Sequence, residues 1–215
     1  MAFLATGAEL NNFPEIRKTM YRVRHEIFHD ELGWDVNSRD GLEYDEYDTD
    51  DTVYILYEQQ GSVIGTSRLL RTTGPYMLAD TFPDLAKGYI PHAENVWELS
   101  RFSIDKKLVQ SRDHFELISA DMFCTLCEFC ILYGVDEIVM VQEPRITHNS
   151  NEFFGMPHVW RPVEKFGKDD AQVCHYRPSF QQQLRQITER LNMRRPVNRS
   201  FDIYENQSLK LMAAE

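Results

Sequence analysis

Between Pro14 and Leu32 the apolar residues Met20, Val23 and Ile27 recur at helical spacing, and Pro14 suits a first turn, where its missing N–H would be unpaired anyway. The spacing predicts one helix over 14–32, stopped at Gly33. The following stretch GLEYDEYDTDD, Gly41 to Asp51, is too acidic and too poor in aliphatic residues for a core element. TVYILYE (52–58) and SVIGTSRLL (62–70) then read as strands joined by a turn at Gln60-Gly61. A connection punctuated by Gly74-Pro75 and Pro83 has room for one short helix. NVWELSRFSID (95–105) is the next strand, and 113–133 is the clearest helix, with Gly134 as its C-cap. VDEIVMV (135–141) and QVCHY (172–176) read as strands and SFQQQLRQITERL (179–191) as a helix, while 142–168 and the tail beyond Met193 carry no firm signal.

Paired strands followed by strand–helix–strand predict an α/β fold with helices on the faces of a mixed sheet. That order is compatible with a three-layer α-β-α sandwich, although periodicity alone does not separate it from other α/β folds. The length of 215 residues fits a single domain over 1–215. Lys plus Arg is 23 against 34 for Asp plus Glu, a net charge of -11, which argues against nucleic acid as a general partner. No apolar run approaches the ~18 residues of a membrane span. MAFLATGAEL lacks the features of an export signal, so a cytoplasmic protein with free thiols at Cys124, Cys127, Cys130 and Cys174 is expected.

Three motifs carry possible chemistry. HEIFH, His25 to His29, matches the zinc pattern H-E-x-x-H, in which Glu26 would activate water as in a hydrolase. The pattern fixes only three positions, so coincidence ranks above zinc and no metal is expected. CTLCEFC lacks the fourth nearby cysteine of an iron–sulfur loop and lies in an apolar helix, where buried free cysteines are common. The acidic stretch fails the calcium-loop pattern because its sixth position is not glycine. A solvated loop is the default there, weakened by the interleaved Trp34, Tyr44 and Tyr47, since aromatic faces beside carboxylates hold small cations.

The strand 95–105 is the least ordinary segment. It places Glu98 and Arg101 among Val96, Trp97, Leu99 and Phe102, in a run otherwise suited to the core. On a regular strand residues 98 and 101 face opposite sides. If both serve one site, a bulge or splay between them is required, which would also release backbone N–H groups.

Taken with YRVRHEIFHDELGW, DEYD, GTSRLLRTTGPYMLADTFPDL and VWELSRF, this strand resembles the acyl-homoserine-lactone synthases, the autoinducer synthases of bacterial quorum sensing. The family's characteristic set falls on Arg24, Phe28, Trp34, Asp45, Asp48, Arg68, Glu98 and Arg101, in order and spacing, over about residues 20 to 104. The resemblance implies an acetyltransferase-like sandwich with a mixed, splayed central sheet. It implies transfer of an acyl chain from acyl carrier protein to the amine of S-adenosylmethionine, then lactone closure with loss of methylthioadenosine. S-adenosylmethionine is a substrate, and no cofactor is implied.

On this resemblance Glu98 is the general base, made a better proton acceptor by burial beside Trp97, and Arg101 anchors the acids. Arg24, Phe28, Trp34, Asp45, Asp48, Arg68 and Phe102 bind substrate. The aromatics and acids would face the sulfonium, and the arginines would pair with the acids or with the substrate carboxylate. An acidic carrier protein needs a basic landing site, for which Arg145, Arg161, Lys165 and Lys168 are candidates, with Lys106 and Lys107 second. Met140 and Val141 stand where members that take 3-oxo chains often carry threonine, which favours an unsubstituted chain. The resemblance thins after about Val141. Besides the zinc hydrolase, a non-catalytic acyl- or small-ligand-binding module is the alternative.

Overall fold

The structure, a computed structural model, describes residues 1–144, 158–160, 162–166 and 168–192. In chain order its elements are β1 (Ala2–Thr6), α1 (Gly7–Leu10), α2 (Pro14–Arg24), a π-helix (His25–Glu31), β2 (Ser38–Arg39), β3 (Leu42–Glu43), β4 (Val53–Gln59), β5 (Ser62–Arg71), α3 (Met77–Asp80), β6 (Val96–Ile104), α4 (Arg112–Tyr133), β7 (Glu137–Gln142), β8 (His158–Trp160), β9 (Glu164–Phe166), β10 (Asp169–Tyr176) and α5 (Phe180–Arg190). They group into two compact units. Among the described residues, the first holds Met1–Arg68, Arg101–Leu126 and Leu191–Asn192, the second Leu69–Ser100 and those within Cys127–Arg190. β5, β6 and α4 contribute residues to both.

In the first unit the strand order is β1-β4-β5-β6. β1 and β4 are antiparallel, with Phe3 opposite Leu56 and Ala5 opposite Tyr54. That alternation turns Phe3, Ala5, Tyr54 and Leu56 to one face, where they pack with Leu10, Ile16 and Met20 of the first two helices. Each large apolar side chain buried there contributes about 1.5–3 kcal/mol. The opposite face meets α4: the Ala2 N–H donates to Asp121 at 2.5 Å. A Cβ on Gly65 would lie 2.8 Å from the Met122 sulfur and 3.2 Å from Tyr57 Cβ, so a larger residue there would have to displace the Met122 side chain. The turn expected between β4 and β5 is present, with Gln60 and Gly61 at φ 54° and 80°, the positive pair that a two-residue hairpin needs.

Two features of this unit depart from the sequence reading. β1 carried no strand signal of its own, because a five-residue apolar run is too short to show a period. The helix expected over 14–32 is α-helical only to Arg24 and continues as a π-helix. The wider turn passes the buried stripe from Val23 to Phe28 instead of Ile27, which remains half-buried.

In the second unit the order is β5-β6-β7-β10-β8. β6 and β7 are parallel, whereas β10 is antiparallel to β7, β8 and β9, so the sheet is mixed as expected. Trp97 packs edge-on against Phe129 with centroids 4.9 Å apart. Cys127, Cys130 and Cys174 are buried there and Cys124 is buried in the first unit, which agrees with the core reading of the cysteine motif. Burial pushes the Cys130 thiol well above its usual range.

The splay is visible in the register. β6 pairs with β7 only over Val96–Glu98, ending at Glu98 opposite Val139, although β7 runs on to Gln142. Arg101, three residues further along β6, sits at φ 54°. That left-handed conformation costs a non-glycine residue of order 1 kcal/mol and interrupts the regular extended backbone of β6.

Candidate functional site

The first unit gathers three arginines and three acids into one buried network. Arg24, last residue of α2, donates from Nη1 and Nη2 to the two oxygens of Asp48 at 2.7 and 2.8 Å, and its Nε bonds Glu43. Arg68 on β5 grips Asp45 with both terminal nitrogens, one at 3.1 Å, and stands 3.1 Å from Asp48. Arg101 closes the ring, donating to Glu43 at 3.1 Å and to Asp45 at 2.9 Å. The Tyr54 hydroxyl and the Asp45 N–H each donate to Asp48 at 2.8 Å. Three cations thus face three anions, with Arg24, Arg68 and Glu43 wholly buried and Asp45 and Arg101 each 9% exposed at the side chain.

The electrostatics follow from that packing. Burial alone would raise the Asp48 carboxyl, but Arg24 and Arg68 outweigh it and hold Asp48 well below the usual carboxylate range. Glu43 is likewise lowered, with Arg24 and Arg101 overcoming its burial. Arg24 and Arg68 stay protonated, because the adjacent acids outweigh desolvation. Burial, then the Asp48 charge, pushes the Tyr54 phenol far up.

An aromatic wall stands on this network. Phe28, turned inward by the π-helix, stacks on Trp34 with centroids 5.3 Å apart and planes 20° from parallel. The Arg101 guanidinium lies 5.3 Å from the Phe28 centroid and that of Arg68 5.4 Å from Tyr47. The fixed cations therefore orient the rings, and the half-buried Trp34 carries the stack toward solvent.

Glu98 belongs to the second unit. Its side chain is buried, and its two carboxylate oxygens accept the N–H groups of Met77 and Leu78, at 2.9 and 2.7 Å, in the first turn of α3. A carboxylate at a helix start is favoured by the unpaired amides and by the helix dipole. Burial, then the nearby Glu98 charge, pushes the Tyr76 phenol up to about 12.

Of the sequence-assigned residues, Arg24, Phe28, Trp34, Asp45, Asp48, Arg68 and Arg101 come together in the first unit. Phe102 is 39% exposed and lies outside the buried network. Glu43 was missed, and the solvated-loop default for 41–51 is corrected: the stretch supplies all three acids of the arginine network. The available signal was charge balance, since three arginines brought inside require three acids. Arg145 and Arg161 lie outside the described residues. Lys165 pairs with Asp170 at 2.6 Å, and Lys168 is exposed. In HEIFH, Glu26 is 3.5 Å from Lys107, while His25 and His29 stack at 4.8 Å.

The autoinducer synthase family model matches residues 9–149. An acyl-homoserine-lactone synthase of Aeromonas hydrophila is 36% identical over 129 residues, which is 59% of this chain and 62% of that protein. The match therefore spans about 62% of the length of this curated relative. The crystal structure of the AHL synthase LasI superposes at TM-score 0.76 and 28% identity, covering 86% of this chain and 93% of that one. BjaI, a CoA-dependent acyl-homoserine lactone synthase solved with SAM and isopentyl-CoA, superposes at TM-score 0.77 and 25% identity, covering 93% of each chain. An N-acetyltransferase-type structure from Lactobacillus plantarum shares the fold alone, at TM-score 0.52 and 17% identity. The acetyltransferase-like α/β fold is as expected.

Proposed function

The chain belongs to the autoinducer synthase family, and on that premise we propose that it is an acyl-homoserine-lactone synthase acting on S-adenosylmethionine and an acyl thioester. The observation that carries the reading is Glu98, a carboxylate buried in a core strand at the last residue where β6 pairs with β7.

In this reading the sulfonium of S-adenosylmethionine rests against Phe28 and Trp34, whose faces attract a cation, while the arginine–acid network fixes them. The substrate amine titrates near pH 7.7–8.0 and must lose a proton to become nucleophilic. Glu98 takes that proton, directly or through one water. The amine nitrogen attacks the thioester carbonyl, the C–S bond breaks, and the thiolate leaves and is protonated. The substrate carboxylate then attacks the carbon bearing the sulfonium. A C–O bond forms as that C–S bond breaks, and neutral methylthioadenosine departs with no charge left over. Met140 and Val141 on β7 favour an unsubstituted acyl chain.

Acyl carrier protein is the donor proposed first, docking through the exposed Lys165 and Lys168. A coenzyme A thioester is the second reading, supported by the CoA dependence of the similar BjaI. The reading needs no cofactor, metal or nucleic acid. It places the protein in the cytoplasm, where both thioesters are made, and among the described residues no helix is long and apolar enough to cross a membrane. The test is to incubate the purified chain with S-adenosylmethionine and a panel of acyl-carrier-protein and acyl-CoA thioesters, following free thiol, methylthioadenosine and lactone mass. Coupled appearance of all three supports the synthase and identifies the donor. Binding of S-adenosylmethionine without product from any donor would favour the non-catalytic binding module.

A further inference from the structure

We propose that His25, His29 and Asp30 form a binding site for one divalent d-block cation, with zinc as the defining probe, on the outer face of the π-helix. The ligand atoms of these three side chains lie within 4.8 Å of one another. His25 Nε2 is 3.5 Å from one Asp30 oxygen, and His29 Nδ1 is 2.8 Å from the other. Bonds of about 2.0–2.1 Å around tetrahedral zinc put neighbouring ligands about 3.4 Å apart, so the His25–Asp30 spacing already fits. His29 and Asp30 are 49% and 53% exposed at the side chain, free to close the remaining distance and open to an entering ion.

Independent support comes from Ser38. Its hydroxyl lies 2.6 Å from His25 Nδ1, which orients the ring and leaves Nε2 directed at Asp30. This is the outer-shell contact that fixes ring orientation in histidine–metal sites. Two imidazoles and one carboxylate select zinc, nickel or copper over magnesium and calcium, which prefer all-oxygen shells. The site is not the hydrolytic one that HEIFH brings to mind. Its carboxylate is Asp30, and Glu26 is turned to Lys107.

A cation held there would clamp residues 25–30, the π-turn that carries Phe28 inward onto Trp34. The site therefore has a route to the aromatic wall without touching substrate. Its existence does not depend on the synthase reading.

The test uses the full chain without an affinity tag, stripped with chelator and titrated with zinc against a chromophoric competitor. Wild type is expected to take up one equivalent, with a rise in melting temperature that magnesium does not reproduce. His29→Gln and Asp30→Asn, both at exposed positions, are expected to lose that uptake while keeping wild-type circular dichroism. Ser38→Ala is expected to weaken it roughly 10-fold or more. Cobalt should give visible d–d bands without the near-ultraviolet charge transfer of a thiolate ligand, since all four cysteines are buried. Uptake unchanged in folded His29→Gln, a thiolate band, or no uptake by wild type would each overturn the proposal.

Discussion

Arg24 and Asp48 meet fork to fork, through parallel hydrogen bonds of 2.7 and 2.8 Å, at a depth where neither side chain is more than 2% exposed. Burying a pair so completely is seldom a route to stability, because desolvation cancels most of the attraction. Its value is geometric. Asp48 also takes the Tyr54 hydroxyl and the Asp45 N–H, so one carboxylate ties α2, β4 and the acidic stretch together.

Removing one partner of such a pair leaves the other charge buried and alone. Asp48→Asn should lower the unfolding free energy by about 3–5 kcal/mol in a urea titration. Replacing both partners with apolar residues, Arg24→Met with Asp48→Leu, should cost less than the sum of the single changes. A simple sum would mean that the pair is not coupled.

Acid should dismantle the network in a defined window. Asp48 and Glu43 are held below their ordinary 3.8 and 4.5, so their contribution is complete above those values. As pH falls below roughly 5 the unfolded chain takes up protons that the folded one refuses, and stability drops until the folded carboxyls are protonated too. The urea midpoint should fall steadily from about pH 5 downward, and Glu43→Gln should flatten that slope while starting from a lower midpoint.

The aromatic pair should act on binding more than on chemistry. Phe28→Leu keeps an apolar side chain and removes the ring between Trp34 and Arg101. A cation–π contribution of about 1–2 kcal/mol corresponds to a KM for S-adenosylmethionine raised roughly 5- to 30-fold, with kcat changed much less. An unchanged KM would remove the sulfonium from that wall.

Glu98 should be felt in stability as well as in rate. Glu98→Ala strips the Met77 and Leu78 amides of their acceptor and should destabilise the protein by about 1–3 kcal/mol. Glu98→Gln keeps one carbonyl oxygen for them and should cost less. Equal melting temperatures for both variants and wild type would show that the α3 contact carries no weight.

The sequence made the fold legible wherever an element was long enough to display its period: β4 and β5 with their turn, β6, α4 up to Gly134, and β7. It did not show β1, whose five residues become a strand only through β4, or the change of pitch at His25, which brings Phe28 onto Trp34. The site was legible as a set of residue types, and the break at Arg101 followed from asking how positions 98 and 101 could share a strand. Glu43 was hidden because the acidic stretch has the composition of a solvated loop. Only the arginines folded against it make it core.

The central assignment, Glu98 as the base that frees the attacking amine, is tested most directly by methylthioadenosine release from S-adenosylmethionine and the active acyl donor, with wild type and Glu98→Gln side by side. Wild type should release it in step with lactone. The variant, folded and still binding S-adenosylmethionine, should be slower by about 10²-fold or more. Equal rates would contradict the assignment and leave Glu98 as the acceptor that starts α3.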